Sequence, residues 1–216
     1  MAPLTQDDTA LRAAPAAGAA GTAADTTDGR QLRRQRNRDA VVEALLALYR
    51  DGNLKPSAEE IAARSGLSPR SLFRYFDDVD DLIRAAITHQ ESTVLPLVPV
   101  DARPSDPTAA KAAALADQRV RLFGAVGDAA AVVRLRAPFQ PLLAAELGRT
   151  RAFLRSQVET LFAPELAALA EAGVAGALAA ADVQTTFEAY HLLRQDHGLS
   201  PAEAAAVMVA ALTAIL

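Results

Sequence analysis

From about residue 36 to 50 the apolar side chains Val41, Val42, Leu45, Leu46 and Leu48 recur at helical spacing, and Asp51-Gly52-Asn53 stops the pattern, with Gly52 available for a left-handed turn. Ser57-Ala-Glu-Glu predicts a second helix opened by a capping box. The Ser57 oxygen can accept from the Glu60 amide while the Glu60 side chain reaches back. Ile61 and Ala62 face inward, Gly66 ends this helix, and Ser68-Pro69 opens a third, serine as cap and proline where its missing N–H costs nothing. Asp78 caps a fourth, which carries Leu82, Ile83, Ala86 and Ile87 toward about Glu91. Pro96, Pro99, Pro104 and Pro107 interrupt the pattern and predict a linker. Beyond it, helices are expected over roughly 107–127, 128–138, 140–162, 164–171, 182–195 and 200–216, with Pro138, Pro141 and Pro164 at helix starts or kinks. No strand alternation or fixed-period repeat is present, so the fold class is all-α, in two parts.

Composition sharpens this picture. The 216 residues are 51% hydrophobic but 5% aromatic, and alanine is abundant, which favours close-packed helices. There is no cysteine, so disulfides and thiolate metal sites are excluded. No apolar run is long enough to span a membrane, and no basic region followed by a hydrophobic stretch marks a secretion signal, so a cytoplasmic protein is expected. Residues 1–29 are rich in Ala, Gly, Thr and Asp and are expected to form a disordered arm. The net charge of −4 argues weakly against nucleic-acid binding, but the distribution is uneven. Residues 30–38, RQLRRQRNR, form a dense basic run suited to phosphates or a minor groove.

Ile61, Ala62, Gly66, Leu67 and Leu72 have the spacing of a helix-turn-helix, with Ala62 small where the helices cross and Gly66 permitting the tight turn. On a wheel, Leu72 and Phe76 define the buried face of the second helix. Arg70 and Arg74 then point away from it, Ser71 and Tyr75 flank one side, and Phe73 flanks the other. Guanidinium pairs bidentately with guanine O6 and N7, and hydroxyls suit phosphate oxygens, so the short helix is expected to read the major groove.

The motifs LYRDG, IAARSGLSPRSLFRYF and DDLIRAAI make residues 36–89 resemble the DNA-binding domain of TetR-family transcriptional regulators, and TFEAYHLLRQDHGLSPAEAAAVMVAALTAIL resembles the final two helices of many such proteins. The resemblance covers nearly the whole chain past the arm. It implies an N-terminal three-helix helix-turn-helix DNA-binding domain at residues 30–91 and a C-terminal helical effector-binding and dimerisation domain at 92–216. It further implies a homodimeric repressor on double-stranded DNA, bound to a palindromic operator and released by a small-molecule effector of unidentified structure. The expected DNA-facing residues are Arg33, Arg34, Arg36, Arg38, Ser57, Ser68, Pro69, Arg70, Ser71, Phe73, Arg74 and Tyr75. Two departures stand out: phenylalanine at 73 where the family often has tyrosine, and Val79 within DDVDD where it often has lysine. The acidic run weakens a phosphate clamp at that helix start, and the arm arginines are expected to compensate.

Ser200-Pro201-Ala202-Glu203 is a further capping box. The apolar stripe Ala204, Val207, Met208, Ala211, Leu212 and Ile215 that follows is expected to join Phe187, Tyr190 and Leu193 in a four-helix bundle across a two-fold axis. By resemblance, the middle helices house the effector pocket, with Phe123, Phe139, Gln140, Phe153, Gln157, Phe162 and His191 as the side chains that could line it. There is no P-loop, dinucleotide glycine pattern or GxSxG, and none of His89, His191 and His197 has metal-ligand spacing, so no catalytic residue, metal or cofactor is expected. A rival reading is a helical dimer that binds a small molecule or protein partner and has weak or lost DNA binding, for which DDVDD is the best support.

Overall fold

Helix α1 (Thr22–Arg50) begins the part of the chain that the computed structural model describes, residues 22–216. Its second half is the amphipathic segment read from the sequence: Val41, Val42, Ala44, Leu45, Leu46 and Tyr49 are buried. Its first half corrects the expected disordered arm, of which residues 1–21 lie outside the described residues. Residues 22–29 and the basic run continue the same helix. Alanine, glutamine and arginine are strong helix formers, and a helix already nucleated on a buried face extends at one hydrogen bond per residue fixed. Gln35 donates to Asp39 at 2.8 Å and Arg33 Nε to the Gly29 carbonyl at 3.4 Å, tying successive turns.

Helix α2 (Ala58–Ser65) carries the capping box as read, and Gly66 closes it in the left-handed region at φ 71°. Helix α3 (Pro69–Leu72) is a single turn capped by Ser68. Helix α4 (Val79–Val94) is capped by Asp78, whose carboxylate accepts from the Asp81 amide at 2.7 Å. A 3₁₀ turn, Leu95–Leu97, leads into the proline-rich connector.

Helix α5 (Thr108–Arg136) is broken at Gly127, whose φ 46° and ψ −141° lie where only glycine is comfortable. The break coincides with the boundary read at residue 127 and splits the work of the helix. The first segment is the centre of the C-terminal half, where Ala112, Leu115 and Ala116 are buried. The second segment crosses to the N-terminal half, where Ala129 and Val132 complete the core formed by α1–α4. Helix α6 (Pro141–Leu161), α7 (Ala163–Ala168), α8 (Glu171–Gln184), α9 (Phe187–Gln195) and α10 (Pro201–Ile215) enclose the first segment, with α10 packed along α5. The small side chains of Ala112, Ala116 and Ala204 permit that approach. Helix α8 corrects the expected gap between residues 171 and 182. Its alanines and two glycines leave no polar face to reveal a period, yet Leu178 and Ala181 bury against α5 and α6. No strand occurs among the described residues, and no helix among them is long and apolar enough to cross a membrane.

Two buried polar groups stitch the C-terminal half. Lys111 Nζ donates to Glu165 at 2.6 Å and to the Pro104 carbonyl at 2.9 Å. Arg119, fully buried, donates to the Thr185 and Leu154 carbonyls and to the side-chain oxygens of Gln118 and Gln157. The amides of those two glutamines hold the Leu97 and Val98 carbonyls, so the connector is anchored to α5 and α6.

Candidate nucleic-acid interface

The corner made by α2, Gly66 and α3 presents Arg70, Phe73 and Arg74 to solvent. Leu72 and Phe76 are buried as expected, so the wheel is right about the inward face. It is wrong about Tyr75. After Leu72 the chain winds with i→i+3 bonds, Arg74 N to Ser71 O at 3.1 Å and Tyr75 N to Leu72 O at 2.9 Å. In that tighter winding, residues three apart eclipse, so the Tyr75 ring follows Leu72 into the core instead of flanking the exposed face. Its hydroxyl stays at the edge, where Asn37 donates to it at 2.8 Å and Arg74 at 2.9 Å. Those two donors, with the charges of Arg74 and Arg34 nearby, hold the phenol below its ordinary value. With both acceptor positions engaged, the hydroxyl has its own proton left to offer.

Arg70 and Arg74 form no ion pair with a described residue. Arg74 instead lies over the Tyr75 ring, 5.1 Å from its centroid. Ser68 and Ser71 share a hydrogen bond at 3.0 Å, and Ser57 caps α2, so the three serines set the corner's geometry while staying at its surface. Pro69 is exposed in the first turn of α3.

The four arm arginines divide. Arg33, Arg34 and Arg36 are exposed along α1. Arg38 is not part of an arm: it donates to the Tyr75 carbonyl at 2.9 Å, pairs with Asp81 at 3.3 Å and lies 4.5 Å over the Phe76 ring. It fixes α1 against the helix-turn-helix corner. Three of the four aspartates in the acidic run are similarly committed. Asp78 caps α4, Asp80 accepts from Gln140 at 3.2 Å, and Asp81 takes Arg38 and the Asp77 amide. Asn37, absent from the sequence-based set, is the residue that joins α1 to the Tyr75 hydroxyl. Its position one residue before the anchoring Arg38 is the only signal it left in the sequence.

A cavity of about 200 Å³ lies between α1, α4, α5, α6 and α9. Its walls are mostly apolar, with Leu45 and Tyr49 from α1, Ile87 from α4, Val126 and Val133 from α5, and Leu147 from α6; Gln90, Glu91, Arg134, Glu146 and Thr150 supply polar groups. Of the seven side chains expected there, Phe123 lines it. Phe139 and Phe153 are exposed on the surface, and Phe162 is in the core beneath Lys111. Gln140 is bound to Asp80 and Gln157 to Arg119, while His191 stacks on Phe187 at 5.5 Å and is not among the lining residues. Residue size and polarity do not reveal which side of a helix the cavity meets. Phe187, expected at a dimer interface, lines the cavity, edge-on to Phe123 at 5.7 Å. Arg134 lies 4.0 Å over the Phe187 ring. Burial pulls its guanidinium below its ordinary value, although Glu188 at 3.0 Å opposes the shift.

The expected dimer stripe is likewise corrected in part. Phe187, Tyr190, Ala204, Met208 and Leu212 are buried inside the subunit's own core. Leu193, Ala211 and Ile215 are half-buried and Val207 is exposed, and Val183 and Leu192 join Val207 as exposed apolar side chains on α8–α10. Helix α10 is apolar on nearly every face, so its pattern alone does not say which face turns inward.

No protein-family model and no curated protein matches this chain. Two solved structures share its fold. One is a transcriptional regulator from Rhodococcus sp. Rha1, with TM-score 0.62 and 18% identity over 85% of this chain and 95% of that one. The other, from Rhodococcus sp., is described as a candidate TetR-family transcriptional regulator, with TM-score 0.65 and 16% identity over 83% of this chain and 98% of that one. At these identities the likeness shows the fold: a helix-turn-helix domain followed by a helical C-terminal domain.

Proposed function

We propose that this chain is a TetR-family transcriptional regulator that reads a palindromic operator as a homodimer and represses until a small effector releases it. The observation that carries the reading is the pair Arg70 and Arg74, exposed at a helix-turn-helix corner on a fold shared with two regulators. In this reading each guanidinium meets base edges, and the Tyr75 proton and the Ser71 hydroxyl meet phosphate. The pairing of Asp81 with Arg38 offsets one of the four charges of DDVDD, which weakens in part the rival reading in which that run repels DNA.

One turn of helix buries too little for tight binding, and two-fold symmetry would set two corners about 34–36 Å apart, one duplex turn, or a multiple. The apolar face around Val183, Leu192 and Val207 is the surface we assign to that dimer. The effector would occupy the interdomain cavity. Its walls belong to α1 and α4 on one side and to α5, α6 and α9 on the other, so an occupant that fits better with α4 displaced would alter the spacing of the reading corners.

Selection of bound fragments from a random duplex library tests the reading. An inverted repeat with a fixed half-site spacing is expected; recovery of fragments without any shared sequence would overturn it.

A further inference from the structure

Helix α1 does not end where the DNA-binding core ends. Residues 30–36 continue it outward, exposed on all sides. Arg30, Arg34 and Arg38 fall at i, i+4 and i+8, so they form one stripe along the helix, and Asn37 borders it. The inner end of that stripe is fixed. Arg38 is bound to the Tyr75 carbonyl and Asp81, and Asn37 to the Tyr75 hydroxyl, the atom that Arg74 also meets. The charge of Arg34 acts on the same hydroxyl. Beyond the exposed arginines of the corner and Tyr75, the stripe therefore continues with Arg34 and then Arg30.

At a rise of about 1.5 Å per residue, Arg30 lies roughly 10 Å beyond Asn37 along α1. Duplex DNA carries one charge per about 1.7 Å of axis, so a duplex running alongside α1 would present roughly six phosphates over that distance. Arg36 falls on the opposite face of α1 and Arg33 on the stripe's flank.

We infer that the outer part of α1 is a rigid second DNA-contact surface, in which Arg30 and Arg34 meet phosphates of the duplex flanking the base pairs read by Arg70 and Arg74. This rests on the DNA-binding reading above. It differs from a flexible basic arm in one respect that can be measured: the contacts depend on an unbroken helix between Arg38 and Arg30. It also predicts that this surface adds affinity and salt dependence but no base preference.

The test uses the full chain and the operator selected from the random library, carried in a duplex with one helical turn of extra flank on each side, and in a duplex trimmed of that flank. Binding is followed by fluorescence anisotropy over a range of salt. On the long duplex, Arg30→Gln with Arg34→Gln lowers the slope of log K against log salt by about 1.8 per subunit, about 0.9 for each contact, with base preference unchanged. Arg36→Gln keeps the parent slope. Leu32→Pro, which breaks α1 between the two arginines, lowers the slope by the share of Arg30, about 0.9. On the trimmed duplex, parent and double variant converge. A double variant with the parent slope on the long duplex would overturn the inference, and a proline variant with the parent slope would overturn its rigid form in favour of a flexible arm. If the library yields no shared sequence, or if Arg70→Ala with Arg74→Ala keeps the parent's base preference, the DNA-reading corner itself fails, and that result is distinct from either.

Discussion

Arg119→Met removes a guanidinium from the centre of the C-terminal half while keeping most of its apolar stem. The side chain is fully buried, with Nε 3.2 Å from the Thr185 carbonyl, Nη1 2.6 Å and 2.8 Å from Gln118 Oε1 and Gln157 Oε1, and Nη2 2.9 Å from the Leu154 carbonyl. The Leu154 carbonyl lies inside α6 and keeps its helical partner. The Thr185 carbonyl and the two glutamine oxygens lose a charged donor in a dry interior, at about 1–3 kcal/mol for each group left without a replacement. Against this stands the relief of a buried charge: burial pulls the Arg119 guanidinium down to about 10, with Asp182 nearby opposing the shift. Three such groups, less the relief of the buried charge, leave about 3–5 kcal/mol on balance, a large share of the roughly 5–15 kcal/mol that holds a domain together. With a urea m-value of about 2 kcal/mol/M, the midpoint should fall by about 2 M, read by circular dichroism at neutral pH. Arg119→Lys should recover less than half of the loss, because an ammonium cannot reach acceptors spread around a planar fork. A midpoint within about 0.5 M of the parent would refute the reasoning, since the hub would then carry no more than an exposed surface contact.

Gly127→Ala meets no steric obstacle, because nothing lies within 4 Å of the added carbon, so its cost is the backbone alone at φ 46°. A loss of about 1–3 kcal/mol in thermal or urea unfolding is expected, and an unchanged midpoint would place the α5 break elsewhere. For Glu165, burial pushes the carboxyl up, but the hydrogen bonds from Lys111 and Thr108 outweigh it and hold the group below 4.5. A depressed acid contributes stability above its unfolded value and loses it as pH falls through the folded one. Glu165→Gln should therefore be less stable than the parent at pH 7 by a gap that narrows below pH 4.5; a gap constant with pH would contradict the Lys111 pairing. Val183→Glu with Val207→Glu places charge on two exposed apolar positions of α8 and α10, within the surface proposed for the dimer. Light scattering should then report a monomer, and a retained dimer would move the interface elsewhere.

The helix-turn-helix corner was legible because its signals are local. Ser57 and Glu60, Gly66, and Ser68 with Pro69 fix caps and turns within a few residues, and each stands in the structure as the spacing implied. The break at Gly127 was legible for the same reason. What was hidden depends on partners distant in the chain. The burial of Tyr75 follows from 3₁₀ winding that a regular wheel does not contain. Arg38 read as one more cation in RQLRRQRNR, although Asp81 and the Tyr75 carbonyl claim it. Met208 and Leu212 face inward and Val207 outward, and a helix apolar all round gives no period from which to choose. The cavity was hidden most completely. Its walls come from five helices, and its phenylalanines, Phe123 and Phe187, looked no different from Phe153 or Phe162 in the linear chain.

The central claim is that Arg70 and Arg74 read base edges. Competition binding of the parent and of Arg70→Ala with Arg74→Ala against the selected operator, its single-base variants and unrelated duplex, at one fixed salt concentration, tests it most directly. Each lost contact should cost about 1–3 kcal/mol on the operator, relax preference at the positions it read, and leave affinity for unrelated duplex within a few-fold. A double variant that still prefers the operator over unrelated duplex as strongly as the parent does would contradict the account.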